Sequence, residues 1–123
     1  LDILNKNYKK YFEYIKNYKK LFIRRAQVNV MIKNSFVGYH LDVDSNPDYL
    51  YAVIFQLGSN FSGGQYVVYK KGKKPKKFTP KYKSLIISDC KIPHEVFKVK
   101  SGKRISFVFF LSKNFKANKR LKK

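Results

Sequence analysis

The spacing of apolar residues changes once along the chain, from helical to strand-like, and this change limits the fold more than any other feature. In residues 1–22 the apolar and aromatic residues recur every three or four positions, with lysines between them. That spacing is typical of an amphipathic helix. From residue 24 onward, apolar residues alternate with polar ones, as they do in strands with one buried face. We therefore expect one helix followed by a β-domain.

Six segments after residue 24 are rich in β-branched and aromatic residues and are bounded by Gly, Pro, Asn and Ser. This is the pattern of short strands separated by turns. The segments are 24–32, 51–57, 65–69, 84–88, 95–99 and 105–111. Many short strands after one helix predict a two-sheet barrel or sandwich capped by that helix. We expect a single domain over 1–123, with a supporting helix at 1–22, a β-core at 23–112 and a basic tail at 113–123.

The chain is strongly basic, with 28 Lys and Arg against 7 Asp and Glu and a formal net charge of +21. Such a field attracts nucleic acids, anionic membrane surfaces and acidic proteins at low salt. The densest run of lysines lies in residues 70–83, KKGKKPKKFTPKYK, which we expect to be a solvated loop unless a polyanion neutralises it. An AT-rich coding sequence can produce the same bias toward Lys, Asn, Tyr and Ile. The charge therefore leaves nucleic-acid binding open without indicating a particular function.

Cysteine content and hydropathy indicate in which cellular compartment we expect the protein. Cys90 is the single cysteine, so no internal disulfide framework is possible, and we expect an intracellular, cytoplasmic protein. We interpret Cys90 as a small residue near the core. No apolar run approaches the roughly 18 residues needed to span a bilayer, and no signal-peptide pattern opens the chain. We expect no membrane partner, and the oligomeric state stays open.

Two histidines and an aspartate form the first candidate site. His40 and Asp42 lie two residues apart in GYHLDVDS, so on an extended strand both side chains would emerge on the same face. His94 precedes a strand that could lie beside this pair. Two histidines and one carboxylate on one face of Fe(II) leave the opposite positions open for dioxygen and a chelating cosubstrate. The pair alone is a weak signal, and Asp44 is better explained as a turn residue.

An arginine and a serine extend this candidate site. Arg104 and Ser106 begin the apolar strand ISFVFFL and share one face of it, so a cation and a hydroxyl would point together into the interior. A buried arginine requires an anionic partner, and its planar fork fits a carboxylate.

The order of these residues resembles that of a known superfamily. The motif H-x-D, H and R-x-S is present as His40, Asp42, His94, Arg104 and Ser106. It resembles the Fe(II)/2-oxoglutarate-dependent dioxygenase superfamily over residues 22–112, most closely its prolyl-hydroxylase-like branch. The segments FSGGQYVVY, FTPKYKSLIISD and PHEV add to the likeness. The resemblance implies a mainly β fold, the double-stranded β-helix or jelly roll, with an N-terminal helix supporting the larger sheet.

The resemblance also implies a role for each site residue. The His-x-Asp pair and His94 would bind Fe(II). Arg104 would pair with the distal carboxylate of 2-oxoglutarate, and Ser106 would add a hydroxyl contact to it. Gln56 stands where relatives commonly supply a tyrosine to this cosubstrate, and its amide can still donate a hydrogen bond.

The implied reaction is hydroxylation of a side chain, with proline as the leading expectation, in a protein or peptide substrate. 2-Oxoglutarate would be converted to succinate and carbon dioxide, and ascorbate is a further expected cofactor. Asp42 favours hydroxylation because halogenating relatives replace this carboxylate with a small residue. Asn29 and Met31 lie where relatives often carry a tyrosine, which weakens the substrate assignment.

Other functions stay open from the sequence. An oxidative demethylase of nucleic-acid bases would keep the iron chemistry, and a basic nucleic-acid-binding β-domain would have no catalysis. A cupin-like metal protein without 2-oxoglutarate is a minor variant.

Overall fold

The computed structural model describes residue 15 and residues 17–58 and 60–113. The supporting helix expected at 1–22 and the basic tail expected at 113–123 lie almost entirely outside the described residues. Tyr18–Lys20 form one turn of 3-10 helix, and the first strand already begins at Phe22. No helix in the described part of the chain is long and apolar enough to cross a bilayer.

Besides this 3-10 turn, the regular elements of the described residues are ten strands and one α-helical turn. The strands are β1 (Phe22–Met31), β2 (Val37–His40), β3 (Tyr51–Gln56), β4 (Phe61–Gly63), β5 (Tyr66–Val68), β6 (Lys76–Phe78), β7 (Leu85–Asp89), β8 (His94–Val96), β9 (Val99–Gly102) and β10 (Arg104–Ser112). The helical turn α1 (Asp42–Ser45) connects β2 to the loop before β3.

Two antiparallel four-stranded sheets form the domain. The larger sheet has the order β1-β10-β3-β7 and the smaller sheet the order β2-β8-β5-β6, while β4 and β9 form a separate pair. Consecutive strands seldom lie side by side, because the chain crosses repeatedly from one sheet to the other. This arrangement confirms the jelly-roll fold that the sequence led us to expect.

Each face of the larger sheet has its own hydrophobic cluster. Alternate residues of β3 and β10 point to opposite faces, so Ile54 and Val108 join Tyr66 and Val96 of the smaller sheet between the two sheets. The second cluster lies on the outer face of the larger sheet, and its buried members are Ile15, Leu21, Ile23, Val53, Phe109 and Leu111. The apolar residues predicted for 51–57 and 105–111 therefore serve two cores rather than one.

Strand β1 turns its more polar side inward. Met31 is 6% exposed, whereas Val28 and Val30 on the other side are 58% and 57% exposed. Gln27 and Asn29, which share the side of Met31, line the cavity between the sheets, and the Gln27 amide donates to the Asn29 oxygen over 3.0 Å. The alternation was predicted correctly, but it does not by itself say which side is buried.

Several strands are not among the six predicted segments. β2, β4 and β6 were not predicted, and the strand expected at 95–99 is divided between β8 and β9. β6 lies inside the lysine-rich segment that we expected to be a loop throughout, which corrects that expectation. Lysines are frequent on strands at sheet edges, where they discourage pairing with other chains, and β6 is such an edge strand.

Candidate active site

Strand pairing brings the two histidines together. β2 and β8 are antiparallel neighbours, and His40 lies directly opposite His94 in their register. The two imidazole ring centroids are 4.3 Å apart, with their planes inclined at 62°. A cross-strand pair of this kind places two side chains on the same face of a sheet, so the structure supports the proposed pairing of the two histidines.

Asp42 completes a compact cluster, although its backbone differs from the expectation. Leu41 is extended, but Asp42 begins α1 and does not continue the strand, which corrects the extended geometry expected for the His-x-Asp pair. One carboxylate oxygen, Oδ1, lies 3.2 Å from Nε2 of His40 and 3.5 Å from Nε2 of His94. Candidate ligand atoms of the three residues all lie within 4.8 Å of one another. A single ion could contact all three.

Backbone carbonyls fix the orientation of both imidazoles. Nδ1 of His40 lies 2.7 Å from the Gly38 carbonyl oxygen, and Nδ1 of His94 lies 3.2 Å from that of Ile92. A carbonyl can only accept, so each Nδ1 must carry the proton and Nε2 keeps its lone pair in the neutral ring. This is the tautomer and the outer hydrogen bond found at metal-binding histidines.

Burial favours the metal-binding form of His94. The ring is 4% exposed, and this burial lowers the pKa of His94 against the opposing attraction of Asp42. The neutral imidazole, which is the form that binds a metal, is therefore favoured. Asp44 is exposed and lies outside the cluster, as its interpretation as a turn residue requires.

Arg104 lies in the same cavity and has no anionic partner among the described residues. It is 3% exposed, its Nη1 makes only long contacts to Met31 Sδ at 3.7 Å and Ser106 Oγ at 3.5 Å, and its Nε and Nη2 have no hydrogen-bond partner. Burial lowers the pKa of Arg104, yet a guanidinium stays protonated in proteins. A buried, unpaired cation is costly, so this site is suited to a ligand carboxylate.

A glycine makes room for this arginine. Gly64, the second residue of the glycine pair in FSGGQYVVY, has a φ of +64°, and a Cβ atom there would lie 2.8 Å from Cδ of Arg104. Any other residue would strain the backbone and displace the guanidinium.

Ser106 lines the cavity, whereas Gln56 does not. Ser106 is 1% exposed and lines the cavity with Arg104, as the two-residue spacing predicted. Gln56 lies opposite Ser106 in the pairing of β3 with β10 and is also 1% exposed. Its amide donates to the Gly58 carbonyl over 2.8 Å and its Oε1 has no described partner, but Gln56 is not among the residues lining the cavity.

Tyr66 is a site residue that sequence reasoning missed. Its ring stacks on His94 with centroids 5.1 Å apart and planes at 24°, and its hydroxyl donates to Ser88 Oγ over 2.8 Å. Burial raises the pKa of Tyr66, so the hydroxyl stays protonated. The available signal was its place as the first aromatic residue after the glycine pair. Cys90 is fully buried in the inner cluster, as its small size suggested.

One cavity of about 510 Å³ connects these groups. Its lining includes His40, Asp42, His94, Arg104 and Ser106. The mouth is apolar, since Phe36 is 65% exposed and Val37 is 38% exposed. Of residues 42–51, only Asp42 lines this cavity.

Comparisons with known proteins agree with this geometry. A sequence profile described as the 2OG-Fe(II) oxygenase superfamily matches residues 26–112. The chain belongs to this superfamily. Among curated protein sequences, none matches the chain significantly.

Solved structures place the fold in the same superfamily. A 2OG-Fe(II) oxygenase family oxidoreductase from Burkholderia pseudomallei is 47% identical, with a TM-score of 0.75, over 76% of this chain and 46% of that one. A prolyl-4-hydroxylase from Pseudomonas putida is 18% identical, with a TM-score of 0.65, over 72% of this chain and 52% of that one. A viral collagen prolyl hydroxylase from Paramecium bursaria Chlorella virus-1 is 21% identical, with a TM-score of 0.67, over 91% and 73%. The last two show likeness of fold alone, and the chain spans about half the length of the first two.

The residues present fit the cofactors of the superfamily. The cluster of two imidazoles and one carboxylate is the ligand type of non-haem Fe(II). The unpartnered Nε and Nη2 of Arg104 offer two donors to the carboxylate of 2-oxoglutarate.

Proposed function

We propose that the protein is an Fe(II)- and 2-oxoglutarate-dependent dioxygenase that hydroxylates a side chain of a protein or peptide. Proline is the leading candidate for the hydroxylated residue. One observation carries the proposal: the His-Asp-His cluster and a buried guanidinium without an anionic partner line the same cavity. A structural role for the histidines alone would leave the orphaned arginine without a reason.

Each residue of the cavity has a distinct task in this proposal. His40, Asp42 and His94 would hold Fe(II), and the carbonyls of residues 38 and 92 would keep both Nε2 atoms directed at it. Arg104 would anchor the distal carboxylate of 2-oxoglutarate, with Ser106 as an adjacent donor. With dioxygen as the oxidant, bound Fe(II) and 2-oxoglutarate would supply the oxidation of a C–H bond to C–OH, in which one oxygen atom enters the product, the other enters succinate, and carbon dioxide is released.

Gln56 would act on the cosubstrate from behind this pair, as the resemblance suggests, although it does not line the cavity. Contact would require a change in the conformation of its side chain. Ascorbate as a cofactor is tested by omitting it from the assay described below.

The mouth of the cavity favours an apolar substrate side chain. Phe36 and Val37 are exposed at this mouth, and exposed apolar groups around a cavity mark a binding surface. Two of the structures with a similar fold are the prolyl hydroxylases named above, and a third is a prolyl hydroxylase from Trichoplax adhaerens in complex with a peptide fragment of hypoxia inducible factor, 22% identical with a TM-score of 0.62. A proline side chain in a peptide suits such a mouth.

The same lining disfavours a nucleic-acid base as the substrate. Among the described residues that line the cavity, Arg104 is the sole Lys or Arg, and it is buried. Phosphate contacts supply most of the affinity of proteins for nucleic acids, and this mouth offers no cation for them.

Parallel assays with two classes of substrate test the proposal. The Fe(II)-loaded protein and 2-oxoglutarate would be incubated with a library of proline-containing peptides and, separately, with methylated oligonucleotides, with and without ascorbate. We expect succinate release together with a peptide product heavier by one oxygen atom, both absent with His94→Ala. Demethylation of the oligonucleotide without any peptide product would replace the proposed substrate class, and no succinate with either would contradict the enzyme assignment.

A further inference from the structure

We call the cavity that holds His40, Asp42 and His94 the metal cavity. A second cleft, of about 700 Å³, opens at the opposite edge of the two sheets. Its sides are β7, the outermost strand of the larger sheet, and β6, the outermost strand of the smaller sheet. None of the proposed metal ligands lines it. Among the described residues, Tyr66 alone lines both cavities, so its ring forms the wall between them. A volume of this size is within the range of known ligand sites, roughly 300–1,000 Å³.

The cleft combines an apolar floor with a basic rim. Its apolar lining includes Val68, Phe78, Ile86 and Ile92, all at least partly buried. Four exposed lysines form the rim, namely Lys70, Lys73, Lys74 and Lys76.

Little within the described residues compensates this positive charge. Asp89 is the only carboxylate in the lining, and its Oδ1 accepts a hydrogen bond from the Lys91 backbone N–H at 2.8 Å. None of the four lysines forms an ion pair with another described residue. The amine of Lys76 lies 5.2 Å from the Phe78 ring centroid, so its charge stays at the rim beside the apolar floor. The cleft therefore complements an anionic partner that also has apolar groups.

The backbone of β7 presents an unused hydrogen-bonding edge to this cleft. The Cys90 N–H donates to the Leu50 carbonyl and the Gln56 N–H donates to the Ser84 carbonyl, so the even-numbered residues of β7 pair with β3. In an antiparallel ladder the alternate residues direct their N–H and C=O groups away from that partner. These residues are Leu85 and Ile87, and β7 has no second neighbour among the described strands.

We propose that this cleft binds an extended peptide segment of alternating acidic and apolar residues, which pairs with the free edge of β7. An added strand satisfies the backbone groups of Leu85 and Ile87, as in other cases of β-strand addition. Its inward side chains face the four lysines across the cleft, so carboxylates are favoured there. Its outward side chains continue the apolar outer face of the larger sheet, to which Leu85 and Ile87 contribute.

A nucleic acid fits this cleft less well than a peptide. Its phosphates would satisfy the lysines, but it has no backbone N–H and C=O groups at the spacing needed to pair with Leu85 and Ile87. The proposal does not depend on iron or on the hydroxylase assignment, because no metal ligand lines this cleft.

Binding of labelled peptides tests the charge requirement. The probe is a fluorescein-labelled peptide of alternating Glu and Val, long enough to span β7, followed by fluorescence anisotropy with the native protein. We expect the Lys73→Glu/Lys74→Glu variant to bind at least about tenfold more weakly. The matched control is Lys98→Glu/Lys100→Glu, which makes the same change in net charge at exposed lysines outside both cavities. It should retain most of the affinity.

Two further measurements test the strand pairing itself. The same peptide with N-methyl groups on alternate residues cannot complete a ladder, so it should bind at least about tenfold more weakly than the parent peptide. In hydrogen exchange followed by NMR, the parent peptide should slow exchange at the amides of Leu85 and Ile87. The amide of Ile86, which already faces β3, should change little.

Each of the following results would contradict the proposal. Equal weakening by the two double variants would mean that the overall field of the protein, rather than the cleft, attracts the peptide. Unchanged affinity of the N-methylated peptide, or unchanged exchange at Leu85 and Ile87, would exclude strand addition. Binding of a thymidine oligonucleotide at this cleft without binding of the peptide would also overturn the proposal.

Discussion

The two cavities of this jelly roll lie at opposite edges of the same pair of sheets, yet they place their polar groups in opposite ways. The metal cavity buries Arg104, Asp42 and His94, leaves His40 partly exposed, and has an apolar mouth, with Arg104 at 3% exposure and Phe36 at 65%. The second cleft buries apolar groups in its floor and exposes its lysines. The difference agrees with the chemistry proposed for the first site and the peptide recognition proposed for the second. The net charge of +21 therefore says little about the active site.

Loss of one metal ligand should produce the largest effect and should be confined to the first cavity. We expect His94→Ala to weaken Mn(II) binding, measured by calorimetry, by more than about 100-fold. Even the partners that merely orient metal ligands contribute roughly 10- to 100-fold. Peptide binding at the second cleft should persist.

The adjacent Glu95→Ala is the matched control, because its side chain lies on the other face of β8. Retention of full metal affinity by His94→Ala would show that the proposed metal site is wrong.

Replacement of the buried guanidinium should have the next largest effect. We expect Arg104→Met to bind 2-oxoglutarate roughly 10- to 100-fold more weakly, because hydrogen bonds to charged groups contribute about 1.5–3 kcal/mol. Without ligand, its free energy of unfolding should equal or exceed that of the native protein, because an unpaired buried charge is removed while the side-chain volume is kept. Thermal unfolding with and without 2-oxoglutarate measures both quantities.

Arg104→Lys serves as the control for charge without the planar fork, and its cosubstrate affinity should lie between the other two. A marked loss of stability in Arg104→Met without ligand would mean that Arg104 already has a structural partner.

The hydrogen bond in the wall shared by the two cavities should contribute modestly to stability. Tyr66→Phe and Ser88→Ala each remove one side of the 2.8 Å hydrogen bond that joins the two sheets. In a double-mutant cycle of urea unfolding, we expect a coupling free energy of about 0.5–1.5 kcal/mol. Strictly additive changes would show that this hydrogen bond contributes nothing, and the wall would then depend on ring packing alone.

The rim lysines should have the smallest effect on catalysis. We expect Lys73→Glu/Lys74→Glu to change the rate of 2-oxoglutarate turnover by no more than about twofold, since charges at this distance are screened by solvent and salt. Succinate release at two salt concentrations measures this. A large and salt-dependent loss of turnover would mean that the two regions are not functionally separate.

Sequence reasoning predicted the strands rich in apolar residues well and the strands poor in them badly. β3 and β10 carry enough β-branched and aromatic residues for both faces to be buried, so their positions were clear. β6 consists of KKF and becomes a strand only through its pairing with β5, which is a tertiary effect that local propensity does not report.

Site residues that are close in sequence on one strand could be predicted. Site residues that meet only through the pairing of two strands were harder to predict. Arg104 and Ser106 lie two residues apart on one strand, so their common direction follows from the strand period. The pairing of His40 with His94 depends on the register of β2 and β8, which the superfamily motif suggested and the local sequence did not. Tyr66 was missed because its roles depend on Ser88 in the opposite sheet.

Calorimetric titration of the native protein with Mn(II), with and without 2-oxoglutarate, tests whether the metal and the cosubstrate bind in one cavity. We expect one Mn(II) per chain, bound more tightly when 2-oxoglutarate is present, because the two ligands would contact each other in one cavity and each then raises the affinity for the other. Arg104→Met should bind Mn(II) as the native protein does, and at a 2-oxoglutarate concentration that only just saturates the native protein it should show little of the enhancement. Mn(II) binding that is absent, or that 2-oxoglutarate leaves unchanged in the native protein, would contradict the account.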